Sequence, residues 1–448
     1  MYLAIAKEYF KSGAFPAHDL FLYTLTDYSW TIMHQWLGYL IYYGVYILGG
    51  FNLIIFFKVT LITLFIALPV LFRKTSAITL FIWAVSTILA IYAMSFRLME
   101  RTSLFSDFFI LAVLSILYFE NQKPARAKYF LPFLFLFWVN IHPVFPIGWA
   151  LCFLFLICNY KKWPTRDYKH LCYMVVASIL VCFLNPRGVD GFLYPLRFAT
   201  HEGAVFRQYY FEWLPTLNKL FIFQRQTLFL VLLVLLNLFL IFKTRKSKLY
   251  FEFFASLFFI AYGLYAIRFV PTLCFSLLFL NFALSRQLTE SLHAKKAGLI
   301  VASMALMLAM QNMIWGYNTI SGHREFGFGL DPAVVPQKAA EFFTLYPQIG
   351  NVYNSHLFGS YLAWAWEGKR KLFYHGFVTD TNLFLNEYAA FSRSPPQFEQ
   401  QIEKYKIEAF LLDRFQGNEA LLQNLVSNKS WILVYQDIGS LIFLRKAP

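Results

Sequence analysis

The chain has 448 residues, of which 59% are hydrophobic and 14% are charged. Together with a mean hydropathy of +0.52, this composition excludes an ordinary soluble globular protein. The formal net charge of +15 lies entirely in residues 1–316, because residues 317–448 hold as many acidic as basic side chains. Since the soluble-looking part has no basic stripe, the charge is typical of cytoplasmic membrane loops, and we expect no nucleic-acid partner.

The first 35 residues are polar and lack the apolar core of a signal peptide. The chemistry considered for this segment favours an outer loop at 1–35. This segment contains Asp19, and His34 lies just before a tryptophan-capped apolar stretch. A carboxylate and a histidine at a membrane face are suited to general base catalysis or to holding a divalent cation. The alternative, in which Asp19 caps a turn of a solvated loop, stays open.

A series of apolar stretches follows, and it predicts an α-helical polytopic membrane protein with about 10–11 transmembrane or partial helices. Several stretches are shorter than the ~20 residues of a full span. At Asn140-Ile141-His142-Pro143 the proline predicts a break between two short helices. The stretches cover residues 36–50, 51–72, 76–96, 104–119, 129–141, 143–158, 170–184, 227–242, 250–267, 270–284 and 297–316.

A charged group stands between the third and fourth apolar stretches, with Asp107 nearby. If this segment is helical, Arg97, Glu100 and Arg101 share one face, because they are three and four residues apart. A surplus arginine in such a cluster can bind a phosphate. A simple salt-bridged loop is the alternative interpretation.

Three further places hold polar side chains beside apolar segments, where such residues are costly and therefore candidates for function. Asn140 and His142 lie at the predicted helix break, where a packing role is the alternative. Arg187 lies in an Asn-Pro-Arg-Gly turn and could cap helix carbonyls or bind an anionic headgroup; Glu212-Trp213 follows in the same outer loop, 185–226. Arg268 stands between two apolar segments.

Basic loops set the expected topology. Lysine- and arginine-rich connections predict the cytoplasmic side, which places the 140–142 break, the 185–226 loop and the C-terminal part outside. Arg73-Lys74 conflicts with an outer position of the 1–35 loop if the first two apolar stretches are separate spans. The basic connections are at 123–128, 161–169, 243–248 and 286–296.

Residues 317–448 predict a small soluble α/β domain outside the membrane, after a transmembrane domain at 1–316. Alternating runs around a three-residue turn predict a hairpin. None of the five cysteines of the chain has CxxC or histidine-flanked ligand spacing, and no metal-ligand residues are assigned. The predicted strands are at 350–354, 371–375, 408–413, 431–436 and 440–445, and the predicted helices at 334–345, 382–391 and 396–405.

Taken in order, these residues resemble bacterial polytopic membrane glycosyltransferases of the GT-C type, related to the protein mannosyltransferase and aminoarabinose transferase group. The resemblance covers nearly the whole chain, and each motif is weak by itself. The motifs are Gly13-x-x-Pro16-x-x-Asp19-x-Phe21-x-Tyr23-Thr24, His34-Gln35-Trp36-Leu37, Trp138-Val139-Asn140-Ile141-His142, Asn185-Pro186-x-Gly188, Glu212-Trp213, Tyr353-Asn354 and Phe358-Gly359-x-Tyr361-Leu362.

The resemblance implies an inner-membrane enzyme that moves a sugar from a polyprenyl-phosphate carrier to an acceptor on the outer side. It implies Asp19 and His34 as catalytic residues, with the carboxylate acting as base or metal partner, so a divalent cation stays an open question. Membrane lipids and the polyprenyl-phosphate sugar are the expected partners. The expected substrate-binding residues are Arg97, Glu100, Arg101, Asn140, His142, Arg187 and Arg268.

The chain departs from the family pattern at its start. Relatives have one more transmembrane helix, which leads into an acidic residue before the position of Tyr2, whereas the present sequence starts at Met1. Either this start is truncated or misassigned, or the protein lacks the helix and its acid, and Asp19 would then act alone. A non-catalytic membrane scaffold is therefore one alternative. A transporter or lipid carrier is another, with the broken helix at 140–142 lining a path.

Overall fold

A computed structural model describes the chain except for residues 27, 30, 31, 69–74, 123–125, 161–163, 204–206, 209, 289–293, 320, 321, 325, 379, 415–418, 447 and 448. Arg73-Lys74 and parts of three of the predicted basic loops lie outside the described residues. The described residues form helices α1 (Tyr2–Ser12), α2 (Trp36–Ala67), α3 (Ala77–Met94), α4 (Ser103–Gln122), α5 (Leu131–Ile141), α6 (Pro146–Asn159), α7 (Thr165–Leu180), α8 (Val189–Arg197), α9 (Arg225–Thr244), α10 (Tyr250–Tyr265), α11 (Val270–Ser285), α12 (Ala294–Trp315), α13 (Gln337–Leu345), α14 (His356–Trp366), α15 (Pro395–Tyr405) and α16 (Glu419–Ser427).

The strands are β1 (Tyr317–Thr319), β2 (Gly322–Arg324), β3 (Asn351–Asn354), β4 (Ile407–Asp413), β5 (Trp431–Gln436) and β6 (Ser440–Arg445). The chain divides into two compact units, and one of them is formed by two separate parts of the sequence. One unit joins Met1–Phe51 to Gly329–Pro448, and the other consists of Asn52–Phe328. The predicted outer loop 1–35 therefore belongs to the same unit as the C-terminal region.

The discontinuous unit is built on a four-stranded mixed sheet in the order β3-β4-β6-β5. Strands β3 and β4 are parallel, with Val352 opposite Ala409, whereas β6 is antiparallel to both of its neighbours. Parallel neighbours need a crossover connection, and the segment between β3 and β4 supplies it with α14 and α15. The hairpin of β5 and β6 has the bounds that the sequence predicts.

The N-terminal segment completes the core of this unit. Leu22 forms a parallel bridge with Leu372, and the backbone N–H of Leu372 donates to the carbonyl of Phe21 at 2.7 Å. Phe21 and Leu22 are buried with the aromatic side chains of the C-terminal region in one hydrophobic cluster. The predicted strand at 371–375 is wrong as a member of the sheet, because its backbone pairs with this N-terminal segment instead.

The second unit is a helical bundle. Helix α11 is buried along its whole length and packs against α3, α9 and α10. In the middle of the bundle Asn237 donates to Asn281 at 2.8 Å, and Asn281 donates to Ser86 at 3.1 Å, so the Asn281 amide is bonded through both its oxygen and its nitrogen. Such interhelical hydrogen bonds are typical of helices that pack in lipid.

Five described helical segments are long and apolar enough to cross a membrane: Trp36–Ala67, Ala77–Arg97, Ser103–Gln122, Arg225–Ser247 and Ile267–Ser285. Shorter apolar helices cover Ala127–Ile141, Pro146–Asn159 and Tyr250–Tyr265. One predicted interruption is confirmed, since helices α5 and α6 separate at His142. Helix α2 is broken at Gly49 and at Gly50, whose φ of 64° favours glycine, where the apolar stretches 36–50 and 51–72 meet.

Candidate functional site

A cluster of arginines surrounds one carboxylate in the helical unit. Arg97 donates from Nη2, and Arg101 from Nη1, to the same Oε2 atom of Glu212, each at 2.9 Å. Arg268 Nη1 lies 3.4 Å from the other oxygen, Oε1. Three of the predicted substrate-binding residues thus meet at one acid that lies more than a hundred positions away from the first two.

Helix ends bring these side chains together. Arg97 ends the 3-10 turn that follows α3, Arg101 precedes α4, and Arg268 lies in the turn before α11. Glu212 occupies the short 3-10 turn Phe211–Trp213 of the outer loop. Because proline at the second position of α11 stops the helix from extending backwards, Arg268 stays in the turn, where its side chain reaches the cluster.

The cluster carries more positive than negative charge. Burial alone would raise the pKa of the Glu212 carboxyl, but the charges of Arg101, Arg268 and Arg97 outweigh burial and hold this pKa well below its usual range. Glu212 is therefore ionised at neutral pH, and three guanidinium groups face one carboxylate. The Arg268 guanidinium also stacks on the ring of Trp213, with 4.1 Å between the guanidinium carbon and the ring centroid.

Arg97 and Arg268 have N–H donors that no acceptor among the described residues occupies. The Arg97 side chain is only 9% exposed and, within the described residues, donates only the one hydrogen bond to Glu212. In the described part of the chain, the guanidinium of Arg268 makes the ion pair with Glu212 and cation–π contacts with Trp213 and Phe269, but no hydrogen bond that meets normal geometry. Guanidinium groups offer several N–H donors in a planar fork that fits phosphate oxygens. The arrangement is suited to binding an anion.

A cleft opens beside the cluster and contains an acid. Asp107 lines it together with Arg97, Arg101 and Arg268, and the Thr272 hydroxyl donates to Asp107 Oδ1 at 2.5 Å. Asp107 is 5% exposed, and its second oxygen, Oδ2, has no hydrogen-bond partner among the described residues. An acid with an unengaged oxygen next to a cationic cluster could accept a proton from a molecule bound in the cleft.

Glu100 does not share a helical face with the two arginines, and this prediction is wrong. Residues 98–102 are irregular, and Glu100 pairs with Lys58 instead of with Arg97 or Arg101. The spacing of three and four residues indicated a helix, but the segment links two helices and its charges find partners from distant parts of the chain. The role of Glu100 in substrate binding stays a prediction.

Asn140 and His142 are both buried at the break between α5 and α6. Asn140 donates to the carbonyls of Leu136 and Leu184, and His142 Nδ1 lies 2.8 Å from the hydroxyl of Ser106. The contacts with Leu184 and Ser106 join the break to other segments of the bundle. They fit the packing interpretation, and a substrate role of either residue stays a prediction.

Arg187 lies in the Asn-Pro-Arg-Gly turn that leads into α8. The Asn185 side chain accepts from the backbone N–H of Arg187 at 2.9 Å, and Gly188 has a φ of 52°, a conformation that favours glycine. The Arg187 guanidinium lies 3.9 Å from Asp190. The structure does not bring Arg187 to the carboxylate of Glu212.

In the other compact unit, Asp19 is buried and both of its carboxylate oxygens are engaged. Oδ1 accepts from the backbone N–H groups of Phe21 and Leu22, at 2.7 and 3.1 Å, and Oδ2 lies 2.7 Å from His375 Nε2. His375 is fully buried. This is the geometry of a carboxylate that holds a turn and a neighbouring segment in place, and catalysis by Asp19 stays a prediction.

His34 lies in the 3-10 turn Ile32–Gln35, where its Nε2 is 2.8 Å from the side-chain nitrogen of Gln35. It also stays a predicted site residue. No group of three or more His, Cys, Asp or Glu side chains that could hold a metal ion is present in the described part of the chain.

Sequence reasoning noted Asp107 and Glu212 as neighbours of candidate residues but did not place either in the site. For Asp107 a signal existed, because an acid inside an apolar helix is a candidate for function by default. For Glu212 the sequence offered the Glu212-Trp213 motif but did not indicate its three cationic partners, since these come from two other segments of the chain.

No protein-family model matches the sequence, and no curated protein does. The fold is similar to solved structures of an oligosaccharyltransferase from Archaeoglobus fulgidus. The chain matches AglB in complex with an inhibitory peptide and a dolichol-phosphate with a TM-score of 0.58 and 11% identity, over 92% of this chain and 65% of that one. For the apo form the TM-score is 0.52 and the identity 11%, with the same coverage.

A third structure, tethered to an acceptor peptide that contains an NVT sequon, gives a TM-score of 0.55 and 10% identity, over 100% of this chain and 70% of that one. The chain thus spans slightly less than two thirds of the length of the first two. At this identity the likeness shows the fold alone. It confirms the predicted fold class, an α-helical membrane protein with a small C-terminal α/β domain.

Proposed function

We propose that the chain is a membrane glycosyltransferase that moves a sugar from a polyprenyl-phosphate-linked donor to an acceptor on the outer side of the membrane. The observation that carries this proposal is the convergence of three guanidinium groups and one acid, Asp107, on a single cleft. A transferase of this kind needs both, because the leaving phosphate must be neutralised while the acceptor hydroxyl loses its proton.

Each charged group of the cleft has a proposed role. Arg97 and Arg268 bind the phosphate of the donor with the N–H groups that Glu212 leaves unused, and Arg101 adds its positive charge beside them. The acceptor oxygen forms a bond to the anomeric carbon as the bond from that carbon to the phosphate oxygen breaks. Asp107 takes the proton of the acceptor hydroxyl, and the arginines stabilise the negative charge on the departing lipid phosphate.

The fold supports the same class of function. One of the similar structures holds a dolichol-phosphate, a lipid with the same headgroup chemistry as the proposed carrier. We place the protein in the bacterial inner membrane, with the 1–35 loop, the 185–226 loop and residues 317–448 outside, and in the protein mannosyltransferase and aminoarabinose transferase group. Catalysis by Asp19 and His34 remains proposed, but the contacts of Asp19 favour Asp107 as the acid.

A transfer assay tests the proposal. The purified protein in lipid nanodiscs is mixed with polyprenyl-phosphate donors that carry labelled glucose, mannose or aminoarabinose, with and without Mg²⁺ or Mn²⁺, and with membrane extract as acceptor source. The proposal expects label to leave one donor, and the release to be lost in Asp107→Asn and Arg97→Ala. If the wild-type protein releases no sugar and binds no polyprenyl phosphate, the scaffold interpretation takes its place.

A further inference from the structure

Three positive charges are crowded at the phosphate site proposed above. Arg97 and Arg101 donate to one and the same oxygen of Glu212, so their guanidinium groups are held close together. Arg268 faces the other oxygen from a different turn. Like charges repel most strongly where water is scarce, and here the Glu212 side chain is only 16% exposed. Glu212 is the only carboxylate that pairs with these arginines in the described residues.

The contacts with Glu212 do not occupy all the N–H donors of Arg97 and Arg268. Arg97 and Arg268 both line the cleft beside Asp107, and most of their N–H donors have no acceptor among the described residues. A phosphate in the cleft can therefore bind without replacing Glu212. Glu212 can have one of two roles. It either competes with the phosphate for the guanidinium groups, or it holds these groups in the positions in which they bind the phosphate.

We infer that Glu212 is the positioning residue of the phosphate site, which holds Arg97, Arg101 and Arg268 together against their repulsion and stays bound to them when the lipid phosphate enters. This inference rests on the proposed function and adds a role for a residue that the reaction itself does not touch. The shared Oε2 atom is the observation that carries it, because a single oxygen that accepts from two guanidinium groups fixes the distance between them.

The two roles predict opposite changes in the affinity for polyprenyl phosphate when Glu212 is replaced by glutamine. If Glu212 only competes with the phosphate, the Glu212→Gln variant has a more positive site and binds polyprenyl phosphate more tightly. If Glu212 positions the arginines, the same variant binds more weakly although a negative charge has been removed. Glu212→Asp keeps the charge and partly restores the binding.

The experiment measures the Kd of undecaprenyl phosphate for the protein in nanodiscs at fixed salt, with Glu403→Gln as matched control. Glu403 pairs with Arg445 on the surface of the other unit. We expect Glu212→Gln to raise Kd about tenfold, as for the loss of one charged contact, with Glu212→Asp in between and Glu403→Gln unchanged. An unchanged or lower Kd in Glu212→Gln overturns the inference.

Two further measurements keep the outcome decisive. If Glu212→Gln does not fold, the test is repeated in an Arg101→Gln background, where one fewer positive charge relieves the repulsion; adding Glu212→Gln there must again raise Kd. The proposed function fails separately, since in that case the wild-type protein itself does not bind undecaprenyl phosphate. Binding by the wild type with an unchanged Kd in Glu212→Gln overturns only the role of Glu212.

Discussion

His375 donates a hydrogen bond from Nε2 to the Oδ2 atom of Asp19 at 2.7 Å, across 356 positions of the chain. The backbone N–H of Phe377 donates to the other ring nitrogen, Nδ1, at 3.3 Å, so a neutral imidazole carries its proton on Nε2. Both side chains are buried in the compact unit that joins the N-terminal segment to the C-terminal region. The bond ties these two parts of the unit together.

We therefore expect Asp19→Asn to affect the stability of the protein more than its rate of sugar transfer. Asparagine keeps an oxygen for the N–H groups of Phe21 and Leu22 but cannot accept from His375 in the same way, which costs about 1–3 kcal/mol for an unsatisfied buried donor. Thermal unfolding measures the loss, and Glu419→Gln, an exposed acid of the same unit, is the control. An unchanged Tm with no sugar transfer would instead make Asp19 catalytic.

The stability of the C-terminal region should depend on His356. Burial lowers the pKa of His356 below its usual range, and the charge of Asp413 opposes this shift. Because the unfolded chain then takes up a proton that the folded chain does not, stability is complete above a pH of about 6.5 and falls as the pH drops below it. Unfolding midpoints between pH 7.5 and 5.5 should fall less steeply in His356→Gln. Equal slopes in both proteins would contradict this assignment.

Substitution of Asp107 should reduce the rate of sugar transfer and leave the affinity for the donor lipid nearly unchanged. Asp107→Asn removes the proposed proton acceptor and should reduce sugar transfer about 10²–10⁴-fold while the Kd of the donor lipid stays nearly the same. Thr272→Val, which removes the hydrogen bond to Asp107 Oδ1, should have a smaller effect. Initial rates and binding are measured on the same preparations, with Glu341→Gln as control. Loss of binding and transfer in equal measure would show that Asp107 shapes the cleft and is not the base.

The end of the outer loop should lie in the membrane interface. The Phe223 side chain is 91% exposed and lies just before helix α9, one of the candidate spans, whereas Phe221 is buried against Phe96 and Phe211. An exposed aromatic ring at the start of a span fits the interfacial region of the bilayer.

A spin label at position 223 tests this depth by power saturation in nanodiscs. It should be more accessible to oxygen than to a polar nickel reagent. A label at Val426, which is 75% exposed in the other unit, should show the opposite preference. Equal accessibility of the two sites to the nickel reagent would place Phe223 in water.

The sequence predicted those parts of the fold that depend on local patterns. The helix break at Asn140–His142 follows from a proline, and the β5-β6 hairpin from alternation around a turn. Helix α14 was not predicted as an element, although Phe358, Leu362 and Trp366 recur every four residues and are all buried. Its apolar face was present in the sequence but was interpreted only as a motif.

The remaining features depend on contacts between distant segments. The run 371–375 has the composition of a strand, but its partner is Leu22, which no pattern near residue 372 indicates. The sequence indicated Arg97 and Arg101 as one charged cluster that could bind a phosphate, and Arg268 as a separate substrate-binding candidate. That they share Glu212 could not be predicted, because each lies in a short turn whose direction is set by the packing of the helices on either side.

The central claim, that Arg97 and Arg268 bind a lipid phosphate, is tested most directly by the Kd of undecaprenyl phosphate in nanodiscs at two salt concentrations. We expect the wild-type protein to bind, Arg97→Ala and Arg268→Ala each to raise Kd about tenfold or more, and Arg445→Ala, a control on the surface of the other unit, to leave it unchanged. Equal Kd values for the wild type, Arg97→Ala and Arg268→Ala, in proteins with the same Tm, would contradict the phosphate site.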